Sequence, residues 1–364
     1  MPMRPELSRR GALLAASLIC TVLCAGCGEV HARLSAAAPR PLAVAIGAEP
    51  SGLYAALYAA RADGDFAAGA LAVTIRQASD PLAALQSGAA GVAIASEPAL
   101  LAARAKGDRL VAIGALVREP LDGLVSLATH PIASASALDG ATLAPVEGSL
   151  AQAELATMLA SAHVAPGSVH TAGSGGLGAG GGALAAAGSG LGASALATPL
   201  TRAGTVQAIL ADPWPVVLAA LESAHHPARV LEVQQAGVPN YAGLAIVVRV
   251  GEAHYDGPLL RAFLQSLTRG QRAVEADPRS AAAQLAKVNP KLSAALERTV
   301  LAQTLPLTAP ADASNPFGYQ DPNAWQAFGA WMTARGLLAK GQNAGLAVTD
   351  EFLPGEGEQI VSSS

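Results

Sequence analysis

Apolar positions along this chain fall into short runs with two alternating spacings. Leu42, Val44 and Ile46 stand two apart between alanines and predict a strand, and residues 52–62 read as a helix. Leu71, Val73 and Ile75 repeat the strand spacing. Residues 81–86 then read as a helix, 91–95 as a short buried strand and 98–105 as a helix. Residues 110–117 carry no polar side chain, as expected of a strand covered on both faces. Strand, helix and strand in succession imply a parallel sheet with right-handed crossovers.

A second series begins near Leu138. Residues 142–145 predict a strand, and Ser149 reads as the cap of a helix carrying Leu155, Met158 and Leu159. Residues 207–211 and 230–233 predict strands flanking a helix at 216–221. The apolar strand at 244–250 opens a helical region in which Leu260, Phe263, Leu264 and Leu267 share one face. Further helices are expected around 282–285 and 325–338. The pattern is one α/β lobe, a second inserted into it, and a return to the first.

The N-terminus departs from this pattern. Arg4, Arg9 and Arg10 precede an apolar run over residues 11–23, too short for a permanent membrane helix and consistent with a removable signal. Ala25 and Gly26 before Cys27 resemble a bacterial lipoprotein cleavage site, which makes Cys27 the lipidated residue; an ordinary signal peptide ending in cysteine is the alternative. Arg9-Arg10 after Ser8 also resembles a twin-arginine signal, with Ala12 at the usual Phe position, so Sec and Tat export both stay open. These features divide the chain into a signal peptide (1–26), a lipidated tether (27–40), a first lobe (41–127), a second lobe (128–240), a return (241–355) and a disordered tail (356–364).

Composition narrows the function classes. Cys20, Cys24 and Cys27 are the only cysteines, so a mature chain starting at Cys27 has no thiol pair for a disulfide or metal cage. Roughly 340 remaining residues exceed one core and fit two lobes. A net charge of -4 argues against a nucleic-acid footprint, which needs a basic stripe. Within the second lobe, the glycine-rich segment 173–193 contains Gly173, Gly175 and Gly178 in the G-x-G-x-x-G spacing. The required acid about 20 positions on is absent, since the next acid is Asp212, and a surface loop is the expectation. No cofactor or metal site is expected.

Several strings occur in a specific order: Leu57-Tyr58-Ala59-Ala60, Gly64-Asp65-Phe66, Ser79-Asp80-Pro81-Leu82, Leu85-Gln86-Ser87-Gly88, Val92-Ala93-Ile94-Ala95-Ser96-Glu97-Pro98, Arg118-Glu119-Pro120-Leu121 and Gly237-Val238-Pro239-Asn240-Tyr241. With the tail Gly318-Tyr319-Gln320-Asp321-Pro322 and Thr349-Asp350-Glu351-Phe352-Leu353-Pro354, they resemble solute-binding proteins of ABC importers in the alkanesulfonate, nitrate and thiamine-pyrimidine-precursor group. The resemblance implies a type II periplasmic-binding fold, two α/β lobes joined by two crossing segments with ligand between them. It also implies permease and ATPase partners, a small-molecule ligand and a monomer, anchored by lipid at the outer face of the cytoplasmic membrane.

Open α/β sheets bind ligands where strands end at their carboxyl side. That places Ser51 and Tyr54 after the first strand and Ser96 and Glu97 after the third. In the second lobe it selects Gly148, Ser149, Gln152 and Trp214, and Tyr241 sits at the return crossing. Tyr54 and Tyr58 are four apart, so one of them, with Tyr58 preferred, is expected in the core. Glu97 also suits a helix start. Departures from the family pattern include Pro215, Val216 and Val217 after the tryptophan, Ala242 and Gly243 after Tyr241, and Gly91 and Gln207 at usual aspartate positions. Fewer acids disfavour a cationic or amino-rich ligand and favour a flat neutral heterocycle or organic anion. A degenerate sensor or interaction lipoprotein is the second reading. A thiamine-pyrimidine-synthesis enzyme is the third, weakened because that chemistry needs a histidine and a cysteine cluster, and no histidine falls on an expected cleft strand end.

Overall fold

A computed structural model describes residues 38–172, 200 and 206–355. The signal peptide, Cys27, most of the tether, the glycine-rich segment 173–193 and the tail 356–364 lie outside the described residues. No described helix is long and apolar enough to cross a membrane.

The first sheet contains β1 (Arg40–Ile46), β2 (Leu71–Gln77), β3 (Val92–Ala95), β4 (Leu110–Val117) and β10 (Leu244–Arg249) in the order β2-β1-β3-β10-β4. The second contains β5 (Gly123–Leu127), β6 (Thr142–Leu143), β7 (His170–Thr171), β8 (Ala208–Ala211) and β9 (Ala228–Glu232) in the order β7-β6-β8-β5-β9. The chain leaves the first sheet after Val117 and returns to it at Leu244. Two lobes with two crossings are therefore present. The first boundary moves, however: β5 pairs with β8 and β9, so the crossing lies over residues 118–122 and not after 127. At the other end β1 takes in Arg40, which the sequence pattern places in the tether.

Neither sheet is wholly parallel, which corrects the sequence-based expectation. β10 runs antiparallel to β3 and β4, and β5 runs antiparallel to β8 and β9. The reason is connectivity. Each of these strands is the first after a crossing, so it starts at the junction and runs away from it, whereas β1, β3, β4, β8 and β9 run toward it.

Helices α1 (Ala55–Ala62), α2 (Asp65–Ala68), α3 (Pro81–Gln86), α4 (Glu97–Ala105), α5 (Ser149–Ser161), α6 (Trp214–Ser223), α7 (Val250–Tyr255), α8 (Gly257–Ala276), α9 (Pro278–Val288), α10 (Ala294–Thr308) and α11 (Pro322–Ala334) cover the sheets. Local chemistry fixes several starts. Asp80 accepts from Ala83 N at 2.9 Å, Asp277 from Ser280 N at 3.0 Å and Asp321 from Asn323 N at 2.9 Å. Each is followed by proline at the first helical position, where a missing N–H costs nothing. Ser149 is not a cap: Gly148, at φ 87°, occupies that position and Ser149 begins the helix. α11 stops at Ala334, short of the expected 338, where Gly336 turns the chain with φ 75°.

The expected stripe on α8 is buried: Leu260, Phe263, Leu264 and Leu267 all enter the core. Phe263 stacks on Phe66 at 5.5 Å. α8 crosses α1 closely enough that a Cβ added to Gly270 would lie 2.3 Å from the Ala56 carbonyl oxygen and 2.7 Å from Ala60 Cβ. Gly270→Ala must therefore push α1 and α8 away from each other, and overpacking of this kind costs about 1–3 kcal/mol. Chemical denaturation should show a loss in that range; unchanged stability would mean the helices do not approach this closely.

Candidate functional site

Strand polarity brings the carboxyl ends of β1, β3, β4, β8 and β9 together with the starts of β5 and β10. Whatever side chains follow those ends meet where the chain crosses between lobes. Ser51 and Tyr54 follow β1 on a 3-10 turn (Gly52–Tyr54) and are both buried. The turn is held from outside by Glu297, whose Oε2 accepts the Gly52 N–H at 2.7 Å. Ser51 Oγ has no hydrogen-bond partner. Tyr58, expected in the core, is there, but so is Tyr54. Burial raises both phenols: Tyr58 reaches about 12, and Tyr54 is raised also by the charge of Asp212. Asp212 therefore lies close enough across the lobes to act on Tyr54.

Ser96 and Glu97 follow β3. Ser96 Oγ caps α4 by accepting from Ala99 N at 3.4 Å. Glu97 is only 1% exposed. It clamps the return crossing: its N–H donates to Ala242 O at 2.9 Å, and its Oε2 accepts from Ala242 N at 2.8 Å. Its Oε1 is buried without a partner. Burial pushes this carboxyl up to about 8, opposed by the Ala242 N–H.

Trp214 opens α6 directly after β8 and a cis Asp212–Pro213 peptide. Its backbone N–H donates to Leu121 O at 2.9 Å, and its ring is held against Gly123, where an added Cβ would sit 2.9 Å from Trp214 Cδ1. The side chain is 3% exposed and the indole N–H has no partner. Gly148, Ser149 and Gln152 occupy the exposed amino end of α5, and Gln152 Nε2 donates to Val146 O at 3.3 Å. No hydrogen bond among the described residues joins these three to the residues that follow β1, β3 and β8.

Tyr241 is the centre of the junction. Its hydroxyl lies 2.6 Å from Asp122 Oδ2 and 2.8 Å from Glu154 Oε1. Asp122 belongs to the first crossing, Tyr241 to the second and Glu154 to α5 of the inserted lobe. The ring packs tilted against Phe328 of α11 at 4.4 Å; Phe328 in turn stacks on Trp331, whose Nε1 donates to Thr157 on α5 at 3.1 Å. One phenolic hydrogen serves only one acceptor, so the second short contact requires a proton on a carboxyl. One of the two carboxyls therefore carries a proton and donates to the phenol oxygen, while the other accepts from the phenol. Burial and the neighbouring carboxylates raise Asp122 well above the usual range, and burial raises Glu154 to about 8. Asp212 completes the group. Burial pushes it to about 6, although the residue keeps water-accessible surface.

Strand-end reasoning does not find Asp122, Glu154 or Asp212, and these three overturn the premise of an acid-poor junction. Asp212 follows the β8 pattern directly and precedes Trp214, so that reasoning reaches its neighbour and stops. Among the described residues no group of three or more His, Cys, Asp or Glu could hold a metal ion. The histidines His130, His163, His170, His225, His226 and His254 are all exposed.

The raised carboxyls make stability depend on pH with a definite sign. Glu97 binds its proton more tightly folded than unfolded, from 4.5 to about 8. Its contribution is thus full below pH 4.5 and is lost as pH rises through about 8. The melting temperature should climb on acidification from pH 8.5 to 5.5, and Glu97→Gln, neutral at every pH, should flatten that climb. A melting temperature that falls over this interval in the wild type, unchanged in the variant, would show that Glu97 is ionised in the fold.

Comparisons with known proteins follow the same lines. The family described as NMT1/THI5 like matches residues 53–179. A formylaminopyrimidine-binding protein from Halalkalibacterium halodurans is 24% identical over 309 residues, covering 83% of this chain and 88% of that protein. The alkanesulfonate-binding protein SsuA from Xanthomonas axonopodis pv. citri superposes with a TM-score of 0.58 at 20% identity, over 86% of this chain and 99% of that one. The periplasmic aliphatic sulphonate-binding protein SsuA from Escherichia coli does so at 0.60 and 16%, over 84% and 91%. The fold also occurs in an enzyme: the desulfurization enzyme DSZB superposes at 0.55 and 14%, over 86% and 97%. The chain is thus similar to the solute-binding proteins of the alkanesulfonate, nitrate and thiamine-pyrimidine-precursor group, and it has their two-lobed periplasmic-binding fold.

Proposed function

We propose that the protein is an extracytoplasmic solute-binding lipoprotein that captures a small heterocycle at the lobe junction and hands it to an ABC importer. The observation that carries this reading is the set of side chains gathered where the lobes meet. Trp214 and Tyr54 supply aromatic surface, while Ser51 Oγ, Glu154 Oε2 and the Trp214 indole N–H are buried with no protein partner. An unpaired buried polar atom costs about 1–3 kcal/mol, a cost that a ligand's own polar groups offset on binding. Between the two ligand classes expected from the sequence, the acids favour a heterocycle bearing N–H donors over an organic anion. The curated relative, named for a formylaminopyrimidine, supports the same choice.

A binding role fits the chemistry better than catalysis. Among the described residues every histidine is exposed and no cysteine occurs, so neither an imidazole nor a thiol stands at the junction. Lipidation at Cys27 would hold the protein at the outer face of the cytoplasmic membrane, beside the permease and ATPase subunits it serves as a monomer. Ser96, Glu97 and Tyr241 shape the binding site from the first lobe and the crossing, and Gly148, Ser149 and Gln152 edge it from the second.

Two experiments test this reading. Mass spectrometry of the membrane-extracted protein should find a diacylglyceryl modification on an N-terminal Cys27, absent in Cys27→Ser; an unmodified mature N-terminus at another residue would remove the anchor. Calorimetry with a formylaminopyrimidine should show binding that weakens about tenfold in Trp214→Ala, because aromatic stacking adds about 0.5–1.5 kcal/mol and about 1.4 kcal/mol is a decade. Affinity unchanged from the wild type in both Trp214→Ala and Tyr241→Ala would move the site elsewhere.

A further inference from the structure

The 3-10 turn that presents Ser51 and Tyr54 to the junction is too short to satisfy its own donors. Its internal bonds run from Tyr54 N to Ser51 O at 2.9 Å and from Ala55 N to Gly52 O. The Gly52 N–H, at its start, has no acceptor within the turn. Ser51 stands at the capping position, yet its side chain makes no capping bond and its Oγ is buried without a partner. The acceptor comes instead from 245 residues further along the chain. Glu297, in the first turn of α10 and 3% exposed, takes the Gly52 N–H on Oε2 at 2.7 Å. Glycine allows this approach: a Cβ added to Gly52 would lie 2.9 Å from Val300 Cγ1 and 3.2 Å from Leu301 N, both on α10. α10 also packs against α6, the helix that opens with Trp214. It therefore backs both elements that carry the aromatic residues of the site.

We propose that Glu297 is a positioning residue for ligand binding: by capping the turn from α10 it holds Tyr54 in place and leaves the Ser51 hydroxyl free for the solute. This inference rests on the junction being the ligand site. A serine that capped its own turn would rotate its Oγ onto the turn's N–H groups and be lost to a ligand. A cap supplied by a distant carboxyl separates the two tasks.

Without that acceptor the Gly52 N–H is buried and unpaired, which disfavours the seated turn about tenfold. The turn then leaves α10, or Ser51 rotates inward to cap it. In both cases only a fraction of the molecules is ready to bind, and apparent affinity falls by that fraction, about tenfold.

The test compares Glu297→Leu, which removes the acceptor at similar volume, with Glu297→Gln, which keeps one. In the ligand-free full chain, hydrogen exchange over residues 51–54 should speed up about tenfold in Glu297→Leu and stay at the wild-type rate in Glu297→Gln. Stopped-flow binding of a formylaminopyrimidine should be about tenfold weaker in Glu297→Leu through slower association, with dissociation unchanged. It should recover in Glu297→Gln. Trp214→Ala removes a contact instead and should speed dissociation. Gly52→Ala displaces the turn from α10 with Glu297 intact, so slow association should recur there even if Glu297→Leu does not fold. Wild-type association in Glu297→Leu or Gly52→Ala, beside fast dissociation in Trp214→Ala, overturns the inference and leaves the site standing. An equal loss in Glu297→Leu and Glu297→Gln overturns it too, since the acceptor would then be immaterial. No binding by the wild type removes the site and the role of Glu297 in it together.

Discussion

Everything at the centre of this protein depends on one bridge, the Tyr241 hydroxyl between Asp122 and Glu154. It joins the outgoing crossing, the returning crossing and the inserted lobe at a single oxygen. Burying two carboxylates beside one another without a cation would cost several kcal/mol per ion. A shared proton removes one of the two charges and also satisfies the hydrogen count, since one phenol cannot donate twice. The bridge is thus a charge-balancing device as well as a fastening. It exists only because strand polarity directs both crossings to the same end of both sheets.

The returning crossing is fastened from three sides. Glu97 holds Ala242 through a reciprocal pair of hydrogen bonds, Phe328 lies against the Tyr241 ring, and Trp331 reaches Thr157 one turn along from Glu154. The C-terminal helix therefore touches both the hinge residue and the inserted lobe. Relative movement of the lobes has to rearrange stacked rings and a buried carboxyl network together, and such packed contacts switch between discrete arrangements more readily than they deform.

Much of the architecture is legible in the chain. Alternating apolar residues locate β1 and β2 closely, and the unbroken run at residues 110–117 coincides with β4. β5 is hidden because Gly123–Leu127 is five residues long and follows β4 with no helix between. α10 is hidden because an alanine-rich segment containing Pro306 carries little amphipathic contrast. Of the residues that strand-end logic proposes for the site, Ser51, Tyr54, Glu97, Trp214 and Tyr241 are buried around the junction. It misses Asp122, Glu154 and Asp212 because their importance lies in mutual proximity between distant parts of the chain, which spacing does not record. Glu154 reads as a solvent-facing charge on a helix; only the crossing chain that covers α5 makes it a core residue.

The most direct test of this account is the ionisation state of the Asp122–Glu154 pair in the ligand-free protein. Carbon-13 NMR of carboxyl-labelled aspartate and glutamate, assigned with Asp122→Asn and Glu154→Gln, follows both chemical shifts through pH. The shared-proton bridge predicts that one of the two carboxyls stays protonated at pH 7, held above its usual range by burial. Two carboxyls that are both ionised at pH 7 would contradict the bridge and the charge argument built on it.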